Sequence, residues 1–264
     1  MRFSFIVILA LSTNLSAYTD SDLDGVEDAL DRCPETLLNE LVNAQGCTIK
    51  SLEHHYDIIV GAGYSQLNYI SNQKEDTFTT TLQADYYTKN VSAQIIASHY
   101  VSNNDNGMND TVIAGYYQFP LDNQLSVKVG GGILLPTYET GYDNEATDYI
   151  GSLSLTYLAD SKIALIGGYS YTFVNDADVA GALAYQNSEA YYVGVNYLVD
   201  NKLSLGSTYH TSDSIYRDVE PIEKISLYGM VRFDAHWFGN ANYAYGLSDS
   251  ASDHALDLRI GYSF

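Results

Sequence analysis

Only 12 of the 264 residues are lysine or arginine, set against 33 aspartates and glutamates, so the chain carries a net charge of −21. So few cations argue against a nucleic-acid partner, whose phosphates need neutralising, and leave little attraction to an anionic lipid surface. Tryptophan occurs once, proline four times and cysteine twice. Beyond the N-terminus, no apolar run approaches the roughly 18 residues that a membrane-spanning helix requires. Any membrane reading is therefore a barrel reading, because a closed sheet is the other structure that satisfies its backbone within lipid. Against these scarcities stand 25 tyrosines. Tyrosine favours strands, and its apolar body with a polar tip suits a membrane–water boundary.

The first 17 residues, MRFSFIVILALSTNLSA, combine one arginine with an apolar core from Phe3 to Leu11 and end in small and polar residues at Ala17. This is read as a secretory signal whose core is too short to anchor the chain. Export puts Cys33 and Cys47 in an oxidising compartment, where they are expected to form the one disulfide open to them. Residues 18–50 are read as a small separate module, 51–56 as a linker and 57–264 as the main domain. His54 and His55 fall in the linker and are read as surface residues, because neighbours on an extended chain point to opposite faces.

Residues 20–31 run Asp-Ser-Asp-Leu-Asp-Gly-Val-Glu-Asp-Ala-Leu-Asp. Asp20, Asp22, Asp24, Asp28 and Asp31 occupy positions 1, 3, 5, 9 and 12 of a twelve-residue loop, with Gly25 at position 6 and Val26 at position 7. This spacing wraps a chain around one calcium ion: carboxylates supply hard oxygens, glycine permits the sharp turn, and residue 7 offers its backbone carbonyl. The final ligand is aspartate rather than glutamate, and no helix precedes the loop once the signal is removed, so an ordinary helix–loop–helix hand is not expected. The longer stretch DSDLDGVEDALDRCPETLLNELVNAQGC resembles a thrombospondin type 3 repeat of the bacterial form, found beside the barrel in relatives of outer-membrane protein A. The resemblance implies calcium binding by these aspartates in a periplasmic module. Only one repeat is present, Leu23 stands where glycine is common, and the peptidoglycan-binding domain that often accompanies such repeats is absent.

From Asp57 onward, segments alternating at period two recur, and twelve strands are expected near 57–69, 78–88, 91–101, 110–119, 124–135, 148–158, 162–173, 189–198, 202–211, 222–233, 236–246 and 254–264. The last puts Leu256, Leu258, Ile260, Tyr262 and Phe264 on one face, and Asp257, Arg259, Gly261 and Ser263 on the other. Strict alternation is what a strand needs when its faces meet different surroundings. Connections after even-numbered strands are tight, such as Lys89-Asn90 and Asp160-Ser161; those after odd-numbered strands are long and acidic, such as 102–109 and 136–147. Turns on one rim and loops on the other is the asymmetry of an outer-membrane barrel with its chain ends in the periplasm. The chain resembles that class, and its terminal Phe264 resembles the signal read by the barrel-insertion machinery. Tyrosine doublets such as Tyr86-Tyr87, Tyr116-Tyr117 and Tyr191-Tyr192 are expected at the interfaces with outer-membrane lipid.

The fold class expected is thus all-β, a twelve-stranded antiparallel transmembrane barrel behind a calcium-binding loop module. Twelve strands lie between the filled eight-stranded barrel and the water-filled sixteen-stranded porin. Asp85, Lys128, Lys224, Arg232, Asp257 and Arg259 are predicted to face the lumen, either as a weakly anion-preferring constriction around Arg259 or as ion pairs such as Arg259 with Asp257. The leading function is a small porin-like channel for passive diffusion of small solutes, with no catalysis. The alternative is a plugged barrel whose acidic loops bind a partner, as an adhesin or receptor does. A remote third reading is a lipase: His210-Thr211-Ser212 is similar to the His-x-Ser of outer-membrane phospholipase A, but Lys224 occupies the position of that family's orienting Asn, and His210 is predicted to point inward.

Overall fold

The computed structural model describes residues 54–68, 74–103, 105–122, 124–138, 146–179 and 184–264. The signal segment, the calcium loop with Asp20, Asp22, Asp24, Val26, Asp28 and Asp31, and the pair Cys33 and Cys47 lie outside the described residues.

Thirteen strands are present among the described residues: β1 (His55–Asn68), β2 (Lys74–Tyr87), β3 (Val91–Ser102), β4 (Asn106–Met108), β5 (Thr111–Pro120), β6 (Leu125–Leu135), β7 (Asp148–Leu158), β8 (Ile163–Phe173), β9 (Ser188–Leu198), β10 (Leu203–Ser212), β11 (Ile222–Arg232), β12 (Trp237–Gly246) and β13 (His254–Ser263). Twelve form one closed antiparallel ring in sequence order, and β4 pairs only with the end of β3. Closure joins the first strand to the last, from Asp57 opposite Ser263 to Gln66 opposite His254. With the ring closed, no barrel strand presents an unpaired edge.

Period two explains the strands, and three departures have local causes. β2 begins at Lys74, four residues before the apolar alternation starts at Phe78, because the polar Glu75-Asp76-Thr77 run is held by pairing to β1 and by Tyr64 Oη donating to Asp76 at 2.8 Å. β1 begins at His55, inside the segment read as linker; His55 and Tyr56 pair with Tyr87 and Tyr86. The connection 102–109, read as a plain loop, carries β4, too short a strand to show a period.

Aspartate sets the tight rim. The carboxylates of Asp160, Asp200 and Asp234 each accept backbone N–H groups from the second and third residues onward at 2.6–2.8 Å, and Asp122 does the same towards Gln124 and Leu125 at 2.7 Å. A short carboxylate that bonds its own backbone two residues on fixes a turn by itself. The same device recurs at four of the five hairpins of this rim.

Outward positions are apolar and open: Phe78, Leu82, Val193 and Leu227 each expose more than half of their surface. Aromatic residues mark both ends of this face, with Tyr56, Phe119 and Trp237 towards the turn rim and Phe78, Tyr149 and Phe173 towards the loop rim. The tyrosine doublets contribute one ring each to the outer face. Consecutive residues on a strand point to opposite sides, so Tyr117 and Tyr191 are exposed outside while Tyr116 and Tyr192 turn inward.

The barrel interior as the candidate functional site

The register fixes what the interior contains. Inward positions of β6, β7 and β8 are mostly small or hydroxylated: Gly130 and Gly132, then Ser152, Ser154 and Thr156, then Gly168 and Ser170. Large inward side chains are accommodated by glycines directly opposite. Tyr116 lies over Gly130, Tyr192 over Gly168, Tyr228 over Gly206 and Phe238 over Gly261, each ring within 2.2–2.3 Å of where a glycine Cβ would stand. No residue other than glycine admits a ring at that distance, so each ring lies along the wall. No large side chain among the described residues is fully buried. The rings line a space and do not fill it.

That space includes a cavity of about 410 Å³ bounded by Asp85, Gln94, Tyr116, Lys128, Ser152 and Tyr192 among others. A second recess, about 360 Å³, sits towards the loop rim between Glu75, Tyr100, Asp105, Asp110 and Tyr138.

All six residues singled out from the sequence occupy inward registers, but the structure gives them different chemistry. Asp257 and Arg259 form an ion pair at 2.6 Å, and Arg259 also donates to Gln83 Oε1 at 2.8 Å. Gln83 Nε2 donates to Asp85 at 2.7 Å, Gln94 Nε2 at 2.9 Å and Tyr87 Oη at 3.1 Å. Asp85 is only 5% exposed, and its oxygens accept three bonds. A buried carboxylate needs such donors. Asp257, Arg259, Gln83 and Asp85 thus form one network along β13, β1 and β2. Arg259 is a fixed part of the wall, not a free charge in the lumen.

Lys128, Lys224 and Arg232 differ: none has an ion-pair partner among the described residues. The Lys128 ammonium stands 5.7 Å from the centre of the Tyr116 ring, and Lys224 lies directly opposite His210. Arg232 pairs with Phe238 at the turn rim. The run Gly130-Gly131-Gly132 reads from the sequence as a bend or a close contact beneath a neighbouring ring, and Gly130 is the seat of Tyr116. Gln83, Gln94 and the seats at Gly168, Gly206 and Gly261 escaped the sequence reading, because each acquires its role only from a register partner on another strand.

His210 and Ser212 do share an inward face, but the direct neighbours of His210 are Tyr192 and Lys224. His210 Nδ1 is buried without a hydrogen-bond partner. A general base needs that nitrogen oriented by a carboxylate or amide, and neither adjacent strand offers one opposite His210. His54 and His55 diverge, the first stacking on Tyr86 and the second reaching Asp57 at 2.9 Å. Among the described residues no group of three or more His, Cys, Asp or Glu is placed to hold a metal ion.

No family model matches this chain, and no curated protein matches it. Solved structures do. An outer-membrane channel from Pseudomonas putida F1 superposes with a TM-score of 0.64 at 14% identity, covering 80% of this chain and 95% of that one. The NanC porin gives 0.57 at 17% identity, covering 78% and 98%. The KdgM porin gives 0.51 at 10% identity, covering 79% and 99%. The barrel is therefore of the outer-membrane kind. At these identities the likeness establishes the fold, and function must be argued from the interior.

Proposed function

We propose that the protein is an outer-membrane channel that passes small solutes by diffusion, its turn rim in the periplasm and its loops outside. The observation that carries this reading is the seating of inward rings on opposed glycines. A barrel built to be filled would direct Tyr116, Tyr192, Tyr228 and Phe238 across the lumen, whereas here all four lie along the wall, and Tyr116 and Tyr192 border the cavity of about 410 Å³. The outer face, apolar between aromatic rims, fits a hydrocarbon slab about 25 Å tall. The similar solved structures described as a channel or porin agree with the reading. Liposome swelling tests it: vesicles carrying the refolded protein should swell in small polyols at rates that fall with solute size. Vesicles no more permeable than protein-free controls would reject it.

We also propose that residues 18–50 form a calcium-binding module closed by a Cys33–Cys47 disulfide. The donor set of five carboxylates and the Val26 carbonyl is all hard oxygen, which suits calcium. Bound calcium would join carboxylates that otherwise repel one another. Calcium titration calorimetry on the full chain should show one site, weakened at least about tenfold in Asp24→Asn. Equal heats in both proteins would reject the assignment.

A further inference from the structure

Following the hydrogen-bonded register around the barrel from Lys128 gives an unbroken inward row. Lys128 faces Ser154, Ser154 faces Gly168, Gly168 faces Tyr192, Tyr192 faces His210, and His210 faces Lys224. Strands in a barrel are tilted, so such a row climbs the wall. Lys128 is the fourth residue of β6 from the turn rim, and Lys224 the third residue of β11 from the loop rim. Five strand spacings separate them, about 24 Å along the wall. The row starts beside one rim and ends beside the other.

From this row we infer that β6 to β11 form a track for small hydroxylated organic anions, with one ammonium station near each rim. The inference deepens the channel reading and rests on it. Three observations carry it. Neither lysine has an ion-pair partner among the described residues, so neither charge is tied to another on the wall. The inward registers of β6 to β11 hold a single carboxylate, Asp148, placed at the loop rim and occupied by the Asn175 backbone N–H at 2.8 Å. Beside the Lys128 station the wall offers Ser152, Ser154 and Ser170 with the flat rings of Tyr116 and Tyr192, bounding the cavity of about 410 Å³ into which Lys128 opens. A solute with one carboxylate and several hydroxyls finds a cation, donors and an apolar ring face there.

The opposite wall sharpens the contrast. On β13, β1 and β2 the charges are tied to one another, with Arg259 held by Asp257 and Gln83, and Asp85 by three donors. Asp85 also lines the cavity but makes no ion pair with Lys128. Acids around the loop-rim recess, including Glu75, Asp105 and Asp110, oppose anion entry. Exposed charges at a mouth are screened within about 8 Å at physiological salt, whereas amines set in a low-dielectric wall are screened less. The amines therefore dominate selection inside the channel.

The test is planar-bilayer recording of the full-length protein in a potassium chloride gradient, with sodium gluconate as probe and sorbitol as its uncharged counterpart. The wild type should favour chloride over potassium, and gluconate should interrupt its current more than sorbitol does. Lys128→Gln combined with Lys224→Gln should lower the chloride-to-potassium permeability ratio about threefold or more and abolish the gluconate excess. The paired arginine variants should retain both. A double glutamine variant that conducts with the wild-type reversal potential and block would overturn the track, as would a cation-selective wild type, and the channel reading would survive either result. Absence of conductance steps in the wild type would instead remove the channel reading, and the track with it.

Discussion

The side chain of Arg259 on β13 crosses the neighbouring strand β1 above Gly61 to reach Gln83 on β2. A Cβ on Gly61 would stand 2.9 Å from Arg259 Cγ, while Arg259 and Gln83 meet at 2.8 Å. Gly61 and Arg259 are direct partners across the seam where the barrel closes. One glycine thus lets an arginine bind its second neighbour strand and ties the two ends of the ring together.

Gly61→Val should break that tie. Valine is a good strand former, so the loss should come from displacing the arginine stem. We expect a destabilisation of about 1–3 kcal/mol, measured by urea unfolding of the barrel in lipid vesicles. The freed guanidinium should also raise anion preference in reversal-potential recordings. Unchanged values on both counts would show that the arginine simply repacks.

The glycine seats should separate from glycines that carry nothing. Gly168→Ala places a Cβ 2.3 Å from Tyr192 Cε1, and Gly130→Ala places one 2.2 Å from Tyr116 Cδ1. Each ring must swing into the lumen, which should cost about 1–3 kcal/mol and lower the unit conductance. Gly151→Ala meets nothing within 4 Å and should leave conductance intact. Equal effects at all three positions would contradict the seating account.

Asp234 should make its turn on the tight rim acid-sensitive. Backbone N–H bonds from Trp237 and His236 hold the Asp234 carboxyl below its usual range. A depressed folded value means the stabilisation is complete above the unfolded value, about 3.9, and fades as pH falls through the folded one. Asp234→Asn should therefore unfold with less dependence on pH below about 4, as measured by equilibrium unfolding at a series of pH values. A pH slope identical to the wild type would refute the assignment.

Much of the barrel can be read from the sequence, because period two and the parity of long and short connections are local signals. Eleven of the ring strands, from β3 around to β1, begin within two residues of the expected positions, and β2 is extended by pairing that its polar start does not reveal. Interior chemistry is less legible. Period two puts Arg259, Lys128 and Lys224 on one side of the wall, but whether an inward charge is free or tied depends on its partner across the ladder. For Arg259 the ion pair with Asp257, two residues away, is legible in the sequence, whereas its tie to Gln83 is made with a residue 176 positions away. The tyrosine doublets hold only by half as a girdle signal for a related reason: strand alternation lets one residue of each pair face outward, and the inward Tyr116 and Tyr192 lie on glycines that only the register supplies.

Single-channel recording of the refolded full-length protein in a planar bilayer addresses the open lumen most directly. An interior whose rings lie on glycines predicts discrete current steps that scale with salt concentration. A barrel shown to be folded by its resistance to denaturation, yet silent at every voltage, would contradict it.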